Sequence, residues 1–322
     1  MKTDFRTTFS IPEHQNKLNR DNSFTLIGSC FSENIGKKLS SLKFDSISNP
    51  LGISYNPISI HQLLQLETPL SVEHRDDVFF SYQLHSELNQ LNEEAFHASV
   101  QRQFQLQNQQ LAKQGTLIIT YGTAWVYELK EGETIVNNCQ KTPSNQFNKR
   151  MLSVEEIVSS WERAQSFLQR EFPELNIVFT LSPVRHLKDG VRENQLSKSV
   201  LTIAIEQISA QYENCSYFPS YEIMMDDLRD YRFYEADLIH PNQIAIDYIW
   251  KSFELCYFSE NTRLINQELS KITASLQHKA FQAQSEKHQH FLKQLLQKTV
   301  QFQAQKGIDF QSEIEDLQAQ IK

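Results

Sequence analysis

The sequence predicts an α/β fold, a mainly parallel sheet covered by helices on both faces. Three observations carry this. Short apolar runs alternate with longer segments of helical periodicity, the order produced by strands joined through helical crossovers. Glycine is scarce, 8 in 322 residues against a typical ~7%. Three of the eight, Gly28, Gly52 and Gly122, follow short apolar runs, and open α/β sheets build their sites at such strand ends.

Phe24 to Ile27 reads as a buried strand and Ser32 to Leu42 as a helix, with Ser32 as N-cap and Ile35 and Leu39 on one face. Phe44 to Ile47 is a second strand. Pro57 to Leu66 is helical, its proline suited to a first turn. Val78 to Leu84 is extended, and the Gln-rich stretch Glu87 to Lys113 is a long polar helix. Thr116 to Tyr121 is the clearest central strand. Ala124 to Val136 has the pattern of a hairpin turning at Glu131-Gly132-Glu133. Val154 to Arg170 is a helix with a capping box, Ser153 and Glu156. Asn176 to Leu181 is a strand, Asn194 to Tyr212 an amphipathic helix, Ser216 to Phe218 a short strand, and Pro241 to Phe258 a helix opened by its proline.

The composition changes near residue 260. Residues 261–322 hold 13 glutamines, one glycine (Gly307) and no proline. Leu264, Leu269, Ile272, Leu276, Phe281, Phe291, Leu295 and Leu296 recur at roughly helical spacing. One or two long helices broken near Gly307 follow. They either pack on the body or form an arm for a homodimer or another partner. The division expected is an α/β domain over residues 1–258 and a helical extension over 259–322.

With 31 Lys and Arg against 39 Asp and Glu the net charge is −8, which argues against a nucleic-acid binder. No apolar run approaches ~18 residues, so no membrane span is expected. The N-terminus from Met1 to Arg6 lacks a signal-peptide pattern, which points to the cytoplasm. The four cysteines (Cys30, Cys139, Cys215, Cys256) are scattered without zinc spacing. They are expected as free thiols, with neither metal nor cofactor.

Two segments carry the chemistry. In Gly28-Ser29-Cys30-Phe31-Ser32, Ser29 sits at a strand-to-helix turn, where backbone N–H groups and the helix dipole favour an oxyanion. In Asp237-Leu238-Ile239-His240, the spacing lets a tight turn bring the carboxylate to Nδ1 of the imidazole and leaves Nε2 to take a proton. A serine needs such a base to become a nucleophile. Cys30 is the neighbouring alternative; it is expected to face the core if Ser29 faces the pocket.

Gly28-Ser29-Cys30-Phe31-Ser32 resembles the signature of the GSCFA family, with Ser32 in place of the final alanine. Further blocks resemble it in order: residues 49–57, 121–127, 138–141, 181–186, 217–222 and 233–242. The likeness spans about residues 20–255 and leaves the tail outside. That family in turn resembles the SGNH (GDSL-like) hydrolases. The resemblance implies a three-layer α/β/α sandwich and ester hydrolysis without a cofactor. It implies Ser29 as nucleophile, Asp237 and His240 as the orienting acid and the base, and the N–H groups of Ser29 and Gly52 as oxyanion donors. The third block departs from the pattern: SGNH hydrolases carry Gly-x-Asn-Asp there, whereas Thr123 and Ala124 follow Gly122. Thr123 or Asn138 are the replacements available for the missing amide. His85, Arg185 and His186 are candidate substrate contacts, Arg185 for a carboxylate or phosphate. Tyr55 and Trp125 are candidates for stacking on a sugar ring.

The expected function is hydrolysis of an ester, an O-acyl group on a carbohydrate or related metabolite. The rivals are acyl transfer by the same triad and a non-catalytic protein that binds a glycan or partner.

Overall fold

The computed structural model describes residues 7–66, 70–113, 115–278, 282 and 284–321. The N-terminal stretch Met1 to Arg6 and Phe281 lie outside them. The strands are β1 (Phe24–Gly28), β2 (Ser46–Ser48), β3 (Glu73–Arg75), β4 (Val78–Phe80), β5 (Thr116–Tyr121), β6 (Trp125–Leu129), β7 (Ile135–Val136), β8 (Phe147–Met151), β9 (Asn176–Leu181) and β10 (Cys215–Phe218). The helices are α1 (Cys30–Ser41), α2 (Pro57–Leu64), α3 (Glu93–Leu111), α4 (Val154–Glu171), α5 (Val191–Gln211), the single turn α6 (Ser220–Glu222), α7 (Gln243–Tyr257), α8 (Glu260–Leu276), α9 (Glu286–Lys306) and α10 (Gln311–Gln320).

Five strands form a wholly parallel sheet in the order β10-β9-β5-β1-β2. β5, Thr-Leu-Ile-Ile-Thr-Tyr, is buried at every position, as a parallel strand covered on both faces must be. Alternate side chains feed two cores. Phe24, Leu26, Ile118 and Val178 pack with Phe31, Ile35 and Leu39 of α1 and Ile249 and Phe253 of α7. Ile27, Leu117, Ile119 and Phe179 pack with Ile60 of α2, Trp161 of α4 and Leu201 and Ile205 of α5. The result is a three-layer α/β/α sandwich.

The chain runs from β1 outward to β2 and then returns to β5 on the other side of β1. The connections therefore diverge between β1 and β5. Open α/β sheets place their ligand crevice outside the carboxyl ends of the strands at such a point. Gly28 and Gly122 stand at those two ends.

Several boundaries differ from the sequence reading. α1 begins at Cys30 with Ser29 as its N-cap, two residues into the span read as loop. Ser32 instead donates its hydroxyl to Thr120 Oγ1 at 2.8 Å, tying α1 to β5. Asn92 caps α3, which starts after a 3-10 turn at Ser86–Leu88. Pro241 precedes α7 and bridges to Tyr234, and Asn242 is the cap. The expected hairpin β6–β7 gains a third antiparallel strand, β8. Its sequence Phe-Asn-Lys-Arg-Met, half exposed and charged, carries no strand signal.

The capping box on α4 is present in full. Ser153→Ala is expected to cost about 1 kcal/mol, read as a lower urea midpoint with unchanged slope.

Among the described residues the tail forms three helices. Gly307, at φ +67°, ends α9. Leu269 and Ile272 of α8, Phe302 of α9 and Ile314 of α10 join the core on the α1/α7 face. Leu264 is 56% exposed. Among the described residues no helix is long and apolar enough to cross a membrane.

Candidate active site

Asp237 and His240 are joined as their spacing predicts. Asp237 Oδ2 lies 2.6 Å from His240 Nδ1. Its Oδ1 accepts the backbone N–H groups of Ile239 at 2.8 Å and His240 at 3.0 Å. Leu238, at φ +57°, turns the backbone tightly enough to close the pair. The N–H of His240, then its ring, hold the Asp237 carboxyl down to about pKa 2. The carboxylate therefore stays charged down to about pH 2, and the stability it contributes is lost as pH falls from about 3.8 through about 2. It can thus keep the proton on Nδ1, with Nε2 as the basic nitrogen. The dyad is half exposed, and Nε2 has no hydrogen-bond partner among the described residues.

The first turn lies at the carboxyl end of β1. Ser29 is fully buried. Its Oγ accepts from Phe31 N at 3.3 Å, and its own N–H donates to Thr120 O at 3.2 Å. Cys30 is the partly exposed member of the pair, with a free thiol, the reverse of the expected orientation. The Oγ–Phe31 N cap holds that side chain against the helix start, and the N–H ties the turn to β5. Burial, then Glu33, push the Cys30 thiol up, while the N–H groups of Cys30 and Phe31 and the Lys198 charge oppose this. No hydrogen bond joins Ser29 or Cys30 to His240 among the described residues.

The two expected backbone donors are both engaged, Ser29 N–H as above and Gly52 N–H with Asn49 O at 2.8 Å. Gly52 has φ +86°, and a Cβ there would meet His85 Cβ at 2.2 Å, so His85 packs directly on this glycine. His85 Nδ1 is 3.4 Å from Glu87 Oε1, close enough to attract but without hydrogen-bond geometry. Thr123 Oγ1 is shared between Ser197 Oγ at 3.2 Å and Trp125 N at 3.1 Å. Asn138 Oδ1 accepts from Gln140 N at 2.8 Å, closing its own turn. The neighbouring Asn137 is the residue that reaches the glycine block, its Nδ2 bonding Ile53 O at 3.4 Å.

Tyr55 and His186 connect the two loops. Tyr55 O accepts the N–H groups of Gly122 and Thr123 at 2.8 and 3.0 Å. Its ring meets His186 edge to face at 5.6 Å. His186 Nε2 is buried and has no hydrogen-bond partner; a Cβ on Gly122 would lie 3.2 Å from it. Burial, then Lys198, push the His186 ring down to about 4, with His240 adding in the same direction. His186 is therefore neutral at pH 7. Arg185 N donates to Ile239 O at 3.4 Å, which anchors the dyad loop. The Arg185 side chain lines a cavity of about 510 Å³ with Tyr221, Tyr231 and Tyr234.

Lys198 escaped the sequence reading. It lies on α5 and is 1% exposed, with Nζ bonded to Gly122 O at 2.8 Å and Ser182 O at 2.7 Å. It occupies the buried stripe of α5 with Asn194, Leu201 and Ile205. A lysine at a core position of that stripe was the available signal. Burial lowers its ammonium to about 7 from 10.5. Unfolding between those values takes up a proton, so this group makes stability rise with pH across about 7 to 10.5. Thermal melts at pH 7 and 9.5 are expected to show a rise that Lys198→Met lacks.

The GSCFA family model matches residues 23–253. A second model, described as GSCFA domain protein, C-terminal domain, matches residues 269–322, in the tail that the sequence reading left outside the resemblance. No curated protein matches. Among solved structures, a Streptococcus pneumonia protein described provisionally as a platelet activating factor is 11% identical over 72% of this chain and 82% of its own, with a TM-score of 0.38. A Corynascus thermopiles (Myceliophthora fergusii) carbohydrate esterase family 2 enzyme with a carbohydrate binding domain is 9% identical over 76% of this chain and 66% of its own, also at 0.38.

Proposed function

The chain belongs to the GSCFA family, and we propose on the geometry of its strand-end cluster that it is a hydrolase of acyl esters. The observation that carries this is the Asp237–His240 pair, closed at 2.6 Å with Nε2 unbonded. A carboxylate-oriented imidazole at the carboxyl edge of the sheet is a general base in search of a nucleophile. His240 Nε2 takes the proton of a nucleophile in the Ser29–Cys30 turn as that atom attacks the acyl carbonyl. The tetrahedral intermediate collapses, and the imidazolium returns the proton to the departing alcohol. Water then repeats the sequence to release the acid. An alcohol in place of water gives acyl transfer by the same steps. The substrate class proposed is an O-acyl ester of a carbohydrate or related small molecule, with His85, Arg185 and His186 near the bound alcohol. The residue range proposed for this work is 1–258, with 259–322 as an extension and a second copy as the extension's partner. Gel filtration of the full chain is expected to give a dimer, and a monomeric full chain would remove that partner.

Ser29 is the nucleophile in the first form of this reading. A specific observation favours a second form, in which the Cys30 thiol attacks. Ser29 is fully buried, with its Oγ accepting from Phe31 N and its N–H bonded to Thr120 O, while Cys30 is partly exposed at the start of α1; its thiol, pushed up by burial and Glu33, needs His240 as its base. The test is p-nitrophenyl acetate hydrolysis with site-resolved labelling by a fluorophosphonate and by iodoacetamide. Loss of turnover in Ser29→Ala with retention in Cys30→Ala selects the serine, and the converse selects the thiol. A protein that hydrolyses no ester in a screen of acetylated sugars and short acyl esters is non-catalytic.

A further inference from the structure

The segments that follow β9 and β10 surround a cavity of about 510 Å³ lined by Arg185, Tyr221, Tyr231 and Tyr234, a size within the ~300–1,000 Å³ of small-molecule sites. Two backbone hydrogen bonds tie these lining segments to the dyad loop. Arg185 N donates to Ile239 O at 3.4 Å, and the N–H of Glu235, the residue after Tyr234, donates to His240 O at 2.8 Å. A molecule held in this cavity lies against the loop that carries the Asp237–His240 pair.

The lining is aromatic, with one uncommitted cation among the rings. Tyr221 is fixed in place: the buried Lys198 Nζ lies 5.3 Å from its ring centroid, and its hydroxyl donates to Gln195 Oε1 at 3.3 Å. The rings of Tyr231 and Tyr234 lie 6.2 Å apart, tilted at 48°. Arg185 is partly buried, and its guanidinium has neither a hydrogen bond nor an ion pair among the described residues. Burial pushes the Tyr221 and Tyr234 hydroxyls up, and the Arg185 charge opposes this in both. The remaining charged side chains of the lining are Asp226, Arg229 and Asp230, all exposed. Asp230 is already paired with Arg232 at 2.9 Å. The planar fork of an arginine matches a carboxylate through two parallel hydrogen bonds, and tyrosine faces pack on a ring. One free guanidinium balances one carboxylate, whereas a doubly charged phosphate would leave excess negative charge beside Asp226.

We propose that this cavity binds the alcohol half of the ester, a ring that bears a carboxylate, with Arg185 taking the carboxylate and Tyr221, Tyr231 and Tyr234 taking the ring. The substrate class is then an O-acyl ester of a uronic acid or of a hydroxyaryl acid. That substrate rests on the hydrolase reading; the binding site rests on the cavity. An arginine that only covers a loop would not distinguish an acid from its neutral counterpart.

The experiment is a ligand-observed NMR titration of the full chain at pH 7 with two matched pairs: methyl β-glucuronide against methyl β-glucoside, and 3-hydroxybenzoate against 3-hydroxybenzamide. In at least one pair the acid is expected to bind about tenfold more tightly than its neutral partner, and the pair with the larger preference tells a sugar ring from an arene. Arg185→Gln is expected to bring that ratio to about one, and Tyr231→Ala to weaken both members of the pair alike. Both positions are at least partly exposed, so both variants are expected to fold. No preference for the acid in either pair, or a preference that survives in Arg185→Gln, would overturn the proposal. Tighter binding of 3-hydroxyphenyl phosphate than of 3-hydroxybenzoate would overturn the carboxylate. Hydrolysis is read separately, on the acetate esters of the two phenols. A wild type that binds the acid and cleaves neither ester removes the hydrolase reading and leaves the carboxylate site; one that cleaves both without preferring the acid in binding removes the site and leaves the hydrolase.

Discussion

His240→Ala is expected to lower ester turnover by about 10⁴-fold with little change in the unfolding midpoint. The imidazole is half exposed and bonds the Asp237 carboxylate, so its removal leaves no core cavity. Asp237→Asn is the sharper variant. It keeps an oxygen to accept the N–H groups of Ile239 and His240, so the turn stays closed, but it presents an amide to Nδ1. An amide N–H there favours the tautomer with its proton on Nε2, the wrong nitrogen for a base. A loss of similar size is expected, about 10⁴-fold, in kcat rather than KM. The measurement is p-nitrophenyl acetate turnover beside a thermal melt. Turnover in His240→Ala within a factor of ten of wild type would remove the dyad from the chemistry.

Gly28→Ala is expected to unfold or nearly unfold the chain. Gly28 has φ +141°, and a Cβ there would lie 2.2 Å from Thr120 O and 2.9 Å from Thr120 C. Those are backbone atoms of the central strand β5, paired to β1 in register, and they cannot move aside. Backbone strain of ~1–3 kcal/mol adds to overpacking of ~1–3 kcal/mol, a large part of a typical stability of ~5–15 kcal/mol. Gly307→Ala is the control. It also has positive φ, at +67°, but nothing lies within 4 Å of the added atom, so it should cost only about 1 kcal/mol. Urea midpoints of the two variants separate steric contact from strain. Equal midpoints would show that the approach of β1 to β5 is not what requires glycine at 28.

The positions of helices and central strands were legible because their signals are local. An all-apolar run such as Leu117-Ile118-Ile119 needs cover on both faces wherever it lies. The Ser153–Glu156 box marks a helix start by hydrogen bonds that close within four residues. The Asp237–His240 contact belongs to the same class, since a three-residue spacing in a turn leaves little choice of geometry. Where reading failed, the deciding contact was distant. Ser32 looks like an N-cap, yet its hydroxyl goes to Thr120, 88 residues away, and Ser29 takes the cap. β8 has no pattern of its own and exists because β6 offers an unpaired edge.

The sequence by itself determined the layer order, the strand-end glycines Gly28 and Gly122 (Gly52 instead closes a turn beyond β2) and the pairing of carboxylate with imidazole, because each follows from residues within a turn or a helix of one another. Tertiary structure alone decided which of two adjacent side chains faces outward from the first turn, which amides are already engaged, and that a lysine from α5 comes to rest on the carbonyls of Gly122 and Ser182. Those outcomes depend on how β1, β5 and β9 stack their ends, a register set by side chains far apart in the chain and by burial, which no local pattern encodes.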